Sequence, residues 1–223
     1  MPYTLYDSAA GRDRQEQNAG TSVVTGTIIN NCDGPRGQGK VLVRIPSLDT
    51  EVWARMTSPG GGSDAGIQFV PRVDDEVLVA LGQNDAADAY ILGGLWSTQA
   101  QPPVSSPDAP AKRVIKTGLV KGTPGHQIEM DDALQSISIV STTKQKITID
   151  PAKIELSNSA GTLTITLDNK TQTITIKGVQ IKLSGAMSIG LDAPNIKINA
   201  GTSVSIAAGA TCSISGPQAV TIN

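Results

Sequence analysis

The chain has 223 residues, 39% of them apolar, enough for one large domain or two small ones. Residues 1–110 carry 7 Lys/Arg against 13 Asp/Glu (net −6), and residues 111–223 carry 11 against 7 (net +4). Neither half has the concentrated basic surface of a nucleic-acid binder, so nucleic acid is excluded as an expected partner.

The first twenty residues are polar and Gly/Ala-rich, which predicts an N-terminal arm over 1–20. They lack the basic and apolar segments of a signal peptide, and no run reaches the roughly 18 apolar residues of a membrane span. Synthesis in the cytoplasm is the expectation.

From Thr21 the texture changes. The runs TSVVTGTIINN, KVLVRIPSL, EVWARMTSP, DEVLVALGQ and AYILGGLWS are rich in Val, Ile, Leu and Trp and are separated by turn-forming clusters. Five strands within residues 21–100 predict a small barrel. In KVLVRIP, Val41, Val43 and Ile45 should face inward while Leu42 and Arg44 face out. Pro46, Pro59 and Pro71 sit at run edges, where a missing N–H costs no ladder bond.

Residues 97–112 contain four prolines and no hydrophobic period, so a linker and neck are expected over 101–125. From 126 to 223 the sequence becomes a Thr/Ser/Ile strand array. All six aromatic residues lie in the first 96 positions, and an ordinary core rarely forms without aromatic rings. Apolar pairs alternate at Ile137 and Ile139, Ile147 and Ile149, Ile154 and Leu156, and so on to Val220 and Ile222. From Ile174 the starts recur every seven to eight residues, with Gly or Asn between them.

With two inward side chains per repeat, one chain encloses too little apolar volume to offset its ordering entropy. Three chains winding together remove that difficulty, which predicts an intertwined, triple-stranded β-helical needle. About 12 strands per face at about 4.8 Å give a shaft of roughly 55–60 Å. A single-chain solenoid and an up-and-down β-sheet remain the alternatives.

The segments GKVLVRIPSLDTEVWARMTSPGGG, FVPRVDDEVLVALGQNDAADAYILGGLW and TPGHQIEMDD resemble the OB-fold and neck of the central spike proteins of contractile injection machines. That group includes phage baseplate assembly protein V and VgrG-type spikes. The resemblance implies an all-β homotrimer, with an N-terminal OB-fold barrel and a C-terminal intertwined triple-stranded β-helix. It further implies a structural role in the baseplate of a phage tail or phage-tail-like particle: a needle under the tail tube that pierces the target envelope, touching the membrane only transiently. Larger relatives fuse hub domains ahead of the barrel or a lysozyme domain behind it. The short arm and short linker of this sequence leave room for neither, so a separate hub protein and no fused lysozyme are expected.

Catalysis has little material. The single histidine, His126, lies in TPGHQIEMDD, which the resemblance places with Asp131 and Asp132 in a neck or trimer contact, away from any Ser-His-Asp arrangement. Asp74, Asp75 and Glu76 begin a strand and read as its solvated edge or a charged subunit contact. SPGGGSDAG lacks the Lys-Ser/Thr of a phosphate loop. Cys32 and Cys212 have neither disulfide nor metal-ligand spacing and read as free thiols. Trp53 and Trp96 could stack sugars or bases on an OB barrel, but their apolar strand contexts suggest core or subunit contact. No enzyme activity, cofactor or metal is expected. The tail SISGPQAVTIN has none of the His-x-His pairs that hold an apical iron in some short phage spikes. A strand end left open there predicts a PAAR-type tip protein docking at Val220, Thr221, Ile222 and Asn223. The competing function is a trimeric receptor- or carbohydrate-binding fibre module.

Overall fold

A computed structural model describes residues 22–32, 39–82, 85–118 and 122–216. The N-terminal arm (1–20) and the expected docking residues Val220, Thr221, Ile222 and Asn223 lie outside the described residues. The chain divides into two compact units, residues 1–179 and 180–223.

The first unit opens with five strands: β1 (Ser22–Asn30), β2 (Lys40–Ile45), β3 (Thr50–Met56), β4 (Glu76–Gly82) and β5 (Asp85–Gly94). They close into a barrel in the order β1-β2-β3-β5-β4. β1 pairs antiparallel with both β2 and β4, and closure comes from the short parallel contact of β3 with β5 at Arg55–Tyr90 and Met56–Ile91. All five expected strands are present.

Period-two alternation builds the core. Val41, Val43 and Ile45 of β2 are fully buried, as are Val77 and Val79 of β4, and they meet Ile28, Ala54 and Ile91 in one cluster. Leu42 and Arg44 face out as the pattern requires; Arg44 pairs with Glu51 across β2 and β3 at 2.6 Å. Gly26 is buried at an inward position of β1, where any Cβ would strike the side chain of Val43 and stand 3.1 Å from the carbonyl of Arg44. After β2 the chain turns through Pro46–Leu48 into Asp49, whose left-handed φ of 48° reverses it into β3.

Asp74 and Asp75, just before β4, tie the start of β4 to β1. Asp74 takes a left-handed φ of 70° and its N–H donates to the Ile28 carbonyl at 2.9 Å; the N–H of Ile28 donates to the Asp75 carbonyl at 3.0 Å. The Asp75 carboxylate accepts from the backbone N–H of Arg72 at 2.9 Å and from its guanidinium at 3.3 Å. Trp53 is half-buried on the outer face of β3, whereas Trp96, after β5, is 72% exposed and forms no part of the core.

Seven further strands form a separate sheet: β6 (Lys112–Lys116), β7 (Gln127–Asp131), β8 (Ser136–Val140), β9 (Lys146–Ile149), β10 (Lys153–Ser157), β11 (Thr164–Asp168) and β12 (Thr173–Lys177). Each pairs antiparallel with its predecessor, so the sheet is a continuous meander. Its first strand begins at Lys112, inside the stretch expected to be linker and neck. Up to Lys177 the single chain thus adopts the up-and-down arrangement that stood as an alternative for this region.

One chemical device recurs at the hairpins. Where a strand ends, a short polar side chain accepts backbone N–H groups of the turn. Asp131 accepts from Leu134, Ser141 from Gln145, Asp150 from Ala152 and Lys153, Asn158 from Thr162 and Leu163, and Asp168 from Lys170 and Thr171. Four of these turns also hold a residue at left-handed φ: Gln135, Lys144, Gly161 and Gln172.

Unit two is different. None of the described residues of 180–216 lies in a strand, and every one is exposed.

Candidate functional site

The meander sorts its side chains by face. Register places Ile115, Ile128, Ile139, Ile147, Leu156, Ile165 and Ile176 in one cross-strand ladder spanning all seven strands. A second ladder runs beside it through Arg113, Met130, Ile137, Ile149, Ile154, Leu167 and Ile174. The apolar members of both ladders are between 36% and 73% exposed, so nothing among the described residues covers them. A sheet with one apolar face is half of a layered structure.

The opposite face is polar and internally paired. Lys112 reaches Glu129 at 3.5 Å and Asp131 at 3.6 Å, and the Glu129 carboxylate holds the Lys112 ammonium pKa above the usual lysine value. Lys153 donates to Glu155 at 2.7 Å, and that bond raises its pKa likewise. Asp168 is held below the usual aspartate range, chiefly by the N–H of Thr171 and then by that of Lys170. These groups satisfy one another within the chain. The polar face is built for solvent.

The residues expected at a neck contact are distributed between these features. His126 is exposed and immediately precedes β7; its N–H donates to the Thr117 hydroxyl at 2.9 Å and its carbonyl accepts from the Thr117 N–H at 2.9 Å. Strand alternation puts position 126 in line with Ile128 and Met130, on the apolar side. Asp131 is 5% exposed on the polar side, bound to Lys112 and capping its turn. Asp132 opens the β7–β8 turn, is exposed, and donates its N–H to the Ala111 carbonyl at 2.8 Å. Sequence alternation alone signalled the ladders from Ile137 onward. Ile128 and Met130 lie within the expected strand array, whose alternation was read only from Ile137, whereas Ile115 was missed because the proline-rich stretch masked the strand that follows it.

On the outer face of the barrel, Arg55 lies over the Tyr90 ring, 4.5 Å from its centroid, bonds the Tyr90 hydroxyl, and pairs with Asp88 at 3.3 Å. The Asp88 hydrogen bond raises the Tyr90 pKa above its usual value. Cys32 and Cys212 are free and exposed, and among the described residues no group of three His, Cys, Asp or Glu side chains could hold a metal ion.

Residues 24–96, the closed barrel, match the model of the Type VI secretion system/phage-baseplate injector OB domain. The resemblance to VgrG-type spike proteins is real. The chain is 27% identical over 130 residues to the type VI secretion system spike protein VgrG2a of Pseudomonas aeruginosa, covering 52% of this chain and 15% of that protein. It is 31% identical over 120 residues to VgrG5 of the same organism, covering 50% and 15%. With the spike protein VgrG3 of Vibrio cholerae it shares 26% identity over 131 residues, covering 52% and 13%. The match therefore spans about one seventh of these spike proteins' length.

Proposed function

We propose that this chain is a structural, non-enzymatic central spike of a contractile injection machine, assembled as a homotrimer whose β-structured shaft pierces a target envelope. The observation that carries the reading is the double apolar ladder, uncovered among the described residues and joined to a barrel of the injector OB type. Three such sheets with their ladders turned inward close a triangular prism with an aliphatic core and a polar outer surface. That geometry needs no aromatic residue, because flat stacked Ile and Leu rows interdigitate at sheet-packing distance.

In a threefold prism the two lateral rims of each sheet meet different neighbours. The His126 end of β7 in one chain then adjoins the Asp132 end in the next, which makes these two residues the neck contact, with Asp131 bracing the strand from behind. Beyond Lys177 the repeat shortens. Strands β7 to β12 begin at residues 127, 136, 146, 153, 164 and 173, about nine residues apart, whereas the later apolar starts recur every seven to eight. None of the described residues beyond Lys177 pairs within the chain, and in this reading each bend there passes the chain to the next face and strands pair between chains. The intertwined β-helix belongs to this downstream segment.

The barrel end engages a separate hub protein of the baseplate, and Val220 to Asn223 dock a PAAR-type tip protein. The particle assembles in the cytoplasm. Light scattering of the full chain should return three times the 23.0 kDa of one chain; the mass of a single chain would sink the needle. Deleting residues 217–223 should abolish capture of a tip protein while the trimer mass persists, and retained capture refutes docking there.

A further inference from the structure

We propose that one end of the barrel, the end presenting Phe69 and Trp96, is a contact surface between copies of this chain; this rests on the ladder-closed trimer above. Strand directions define the two ends: β1, β3 and β5 finish where β2 and β4 begin. Eight large apolar side chains are exposed among the described residues of 22–96, and six of them belong to segments at that one end. Ile67, Phe69, Val70 and Val73 lie in the connection from β3 to β4, and Leu92 and Trp96 lie at and just beyond the end of β5. The other two, Val23 and Leu48, lie toward the opposite end. Apolar exposure gathered at one place marks a contact surface, whereas scattered exposure does not. Hydrogen bonds hold the six in place. The Ser58 hydroxyl accepts from the Ile67 N–H at 3.0 Å and donates to the Ile67 carbonyl at 2.6 Å, while the Thr57 N–H donates to the Ile91 carbonyl at 3.3 Å, next to Leu92. The Asn31 side-chain amide donates to the Pro71 carbonyl at 3.0 Å, and the Leu95 N–H to the Glu76 carbonyl at 2.8 Å, which ties the Val70–Val73 stretch and Trp96 to the same end.

The occupant is a second copy of this chain for two reasons. The first is the tether. Sixteen residue steps lead from Trp96 to Lys112, where the sheet begins, and they span at most about 55 Å. Once three sheets have closed on their ladders, three barrel ends are held around one axis at an effective concentration on the order of millimolar. Six apolar side chains fall short of the roughly 20–30 residues a side that a stable interface between free proteins uses. Tethered copies need no more than a small patch. The second reason is continuity. The surface lies at the end from which the chain departs for the sheet, so the copies that cover its ladders are the ones placed to cover it. The opposite end, where β1 begins at Ser22, is left for the hub protein.

Trp53 and Trp96 are the two tryptophans of the sequence, so Trp53→Phe in the full chain leaves Trp96 as sole reporter. The same signal follows from subtracting a Trp96→Phe chain from the parent, which keeps Trp53 in place. Light scattering gives the mass and acrylamide quenching the accessibility of the indole. In the trimer Trp96 should emit at shorter wavelength and be quenched several-fold less than in an Ile154→Lys version of the same chain, whose lysine in the ladder should leave it monomeric. Phe69→Ser should keep the trimer mass and return Trp96 toward the monomer's quenching; Leu48→Ser, at the opposite end, should change neither. A trimer whose Trp96 is quenched as freely as the monomer's overturns the proposal and leaves that end open to a separate protein. Trp96 shielded in the monomer as well, no response to Phe69→Ser, or an equal response to Leu48→Ser also overturns it. A parent with the mass of one chain, or a trimeric Ile154→Lys chain, overturns the ladder-closed trimer itself, and so is distinguished from failure of the barrel contact.

Discussion

Gly26 shows how tightly one residue can be constrained by closure of a small barrel. It faces inward on β1, and a Cβ there meets the Val43 side chain and the Arg44 carbonyl. Gly26→Ala should therefore lower barrel stability by about 1–3 kcal/mol, the range for overpacking a filled core, measured as a fall in the denaturant midpoint. Removing the obstacle with Val43→Ala in the same chain should recover part of that loss, whereas an unchanged midpoint in the single variant contradicts the packing. Asp168 gives a titratable case. Its folded pKa is depressed by the Thr171 and Lys170 N–H groups, so its contribution is present above the unfolded aspartate value, about 4, and is lost as pH falls through the lower folded value. Hydrogen exchange at the Thr171 amide should accelerate, relative to its intrinsic rate, as pH drops below about 4, and Asp168→Ala should remove that dependence.

The hairpins are the elements that decide where the chain pairs with itself. From β7 onward each reversal uses an Asp, Ser or Asn at the strand end to accept turn N–H groups, and the series stops with the Asp168 turn before β12. Downstream the same apolar alternation continues without a described strand, so alternation by itself does not specify a hairpin. The turn chemistry does. Replacing Asn158 by Val should loosen the β10–β11 hairpin by about 1 kcal/mol, the worth of its lost side-chain bonds, seen as faster exchange at Thr162 and Leu163; equal exchange would show that the turn holds without its cap.

For the whole molecule the ladders matter most. Ile154 lies in the middle of the second ladder, and Thr166 on the opposite face of the adjoining strand. In the proposed trimer, Ile154→Lys would place three cations in an aliphatic prism at a cost of several kcal/mol each, so it should lower the mass from three chains to the 23.0 kDa of one, whereas Thr166→Lys should leave the assembly intact. Equal behaviour of the two variants would mean that the apolar face is not the contact. Salt should affect neither outcome strongly, because aliphatic burial carries the association.

Some of this protein is legible from sequence because it depends on period alone. The inward set of β2 and the five barrel runs follow from the two-residue repeat of a strand, which a neighbouring chain does not alter. The tertiary structure decided what period cannot encode. It joined Lys112–Lys116 to the sheet across a proline-rich approach and aligned isolated Ile pairs into two unbroken ladders. It also put Arg113 in line with them, turned Asp131 to the polar side, and left Trp96 exposed outside the barrel core. The physical reason is register: a strand's face is fixed by its own residues, but its partners are fixed only when turns and pairing bring distant residues to the same level.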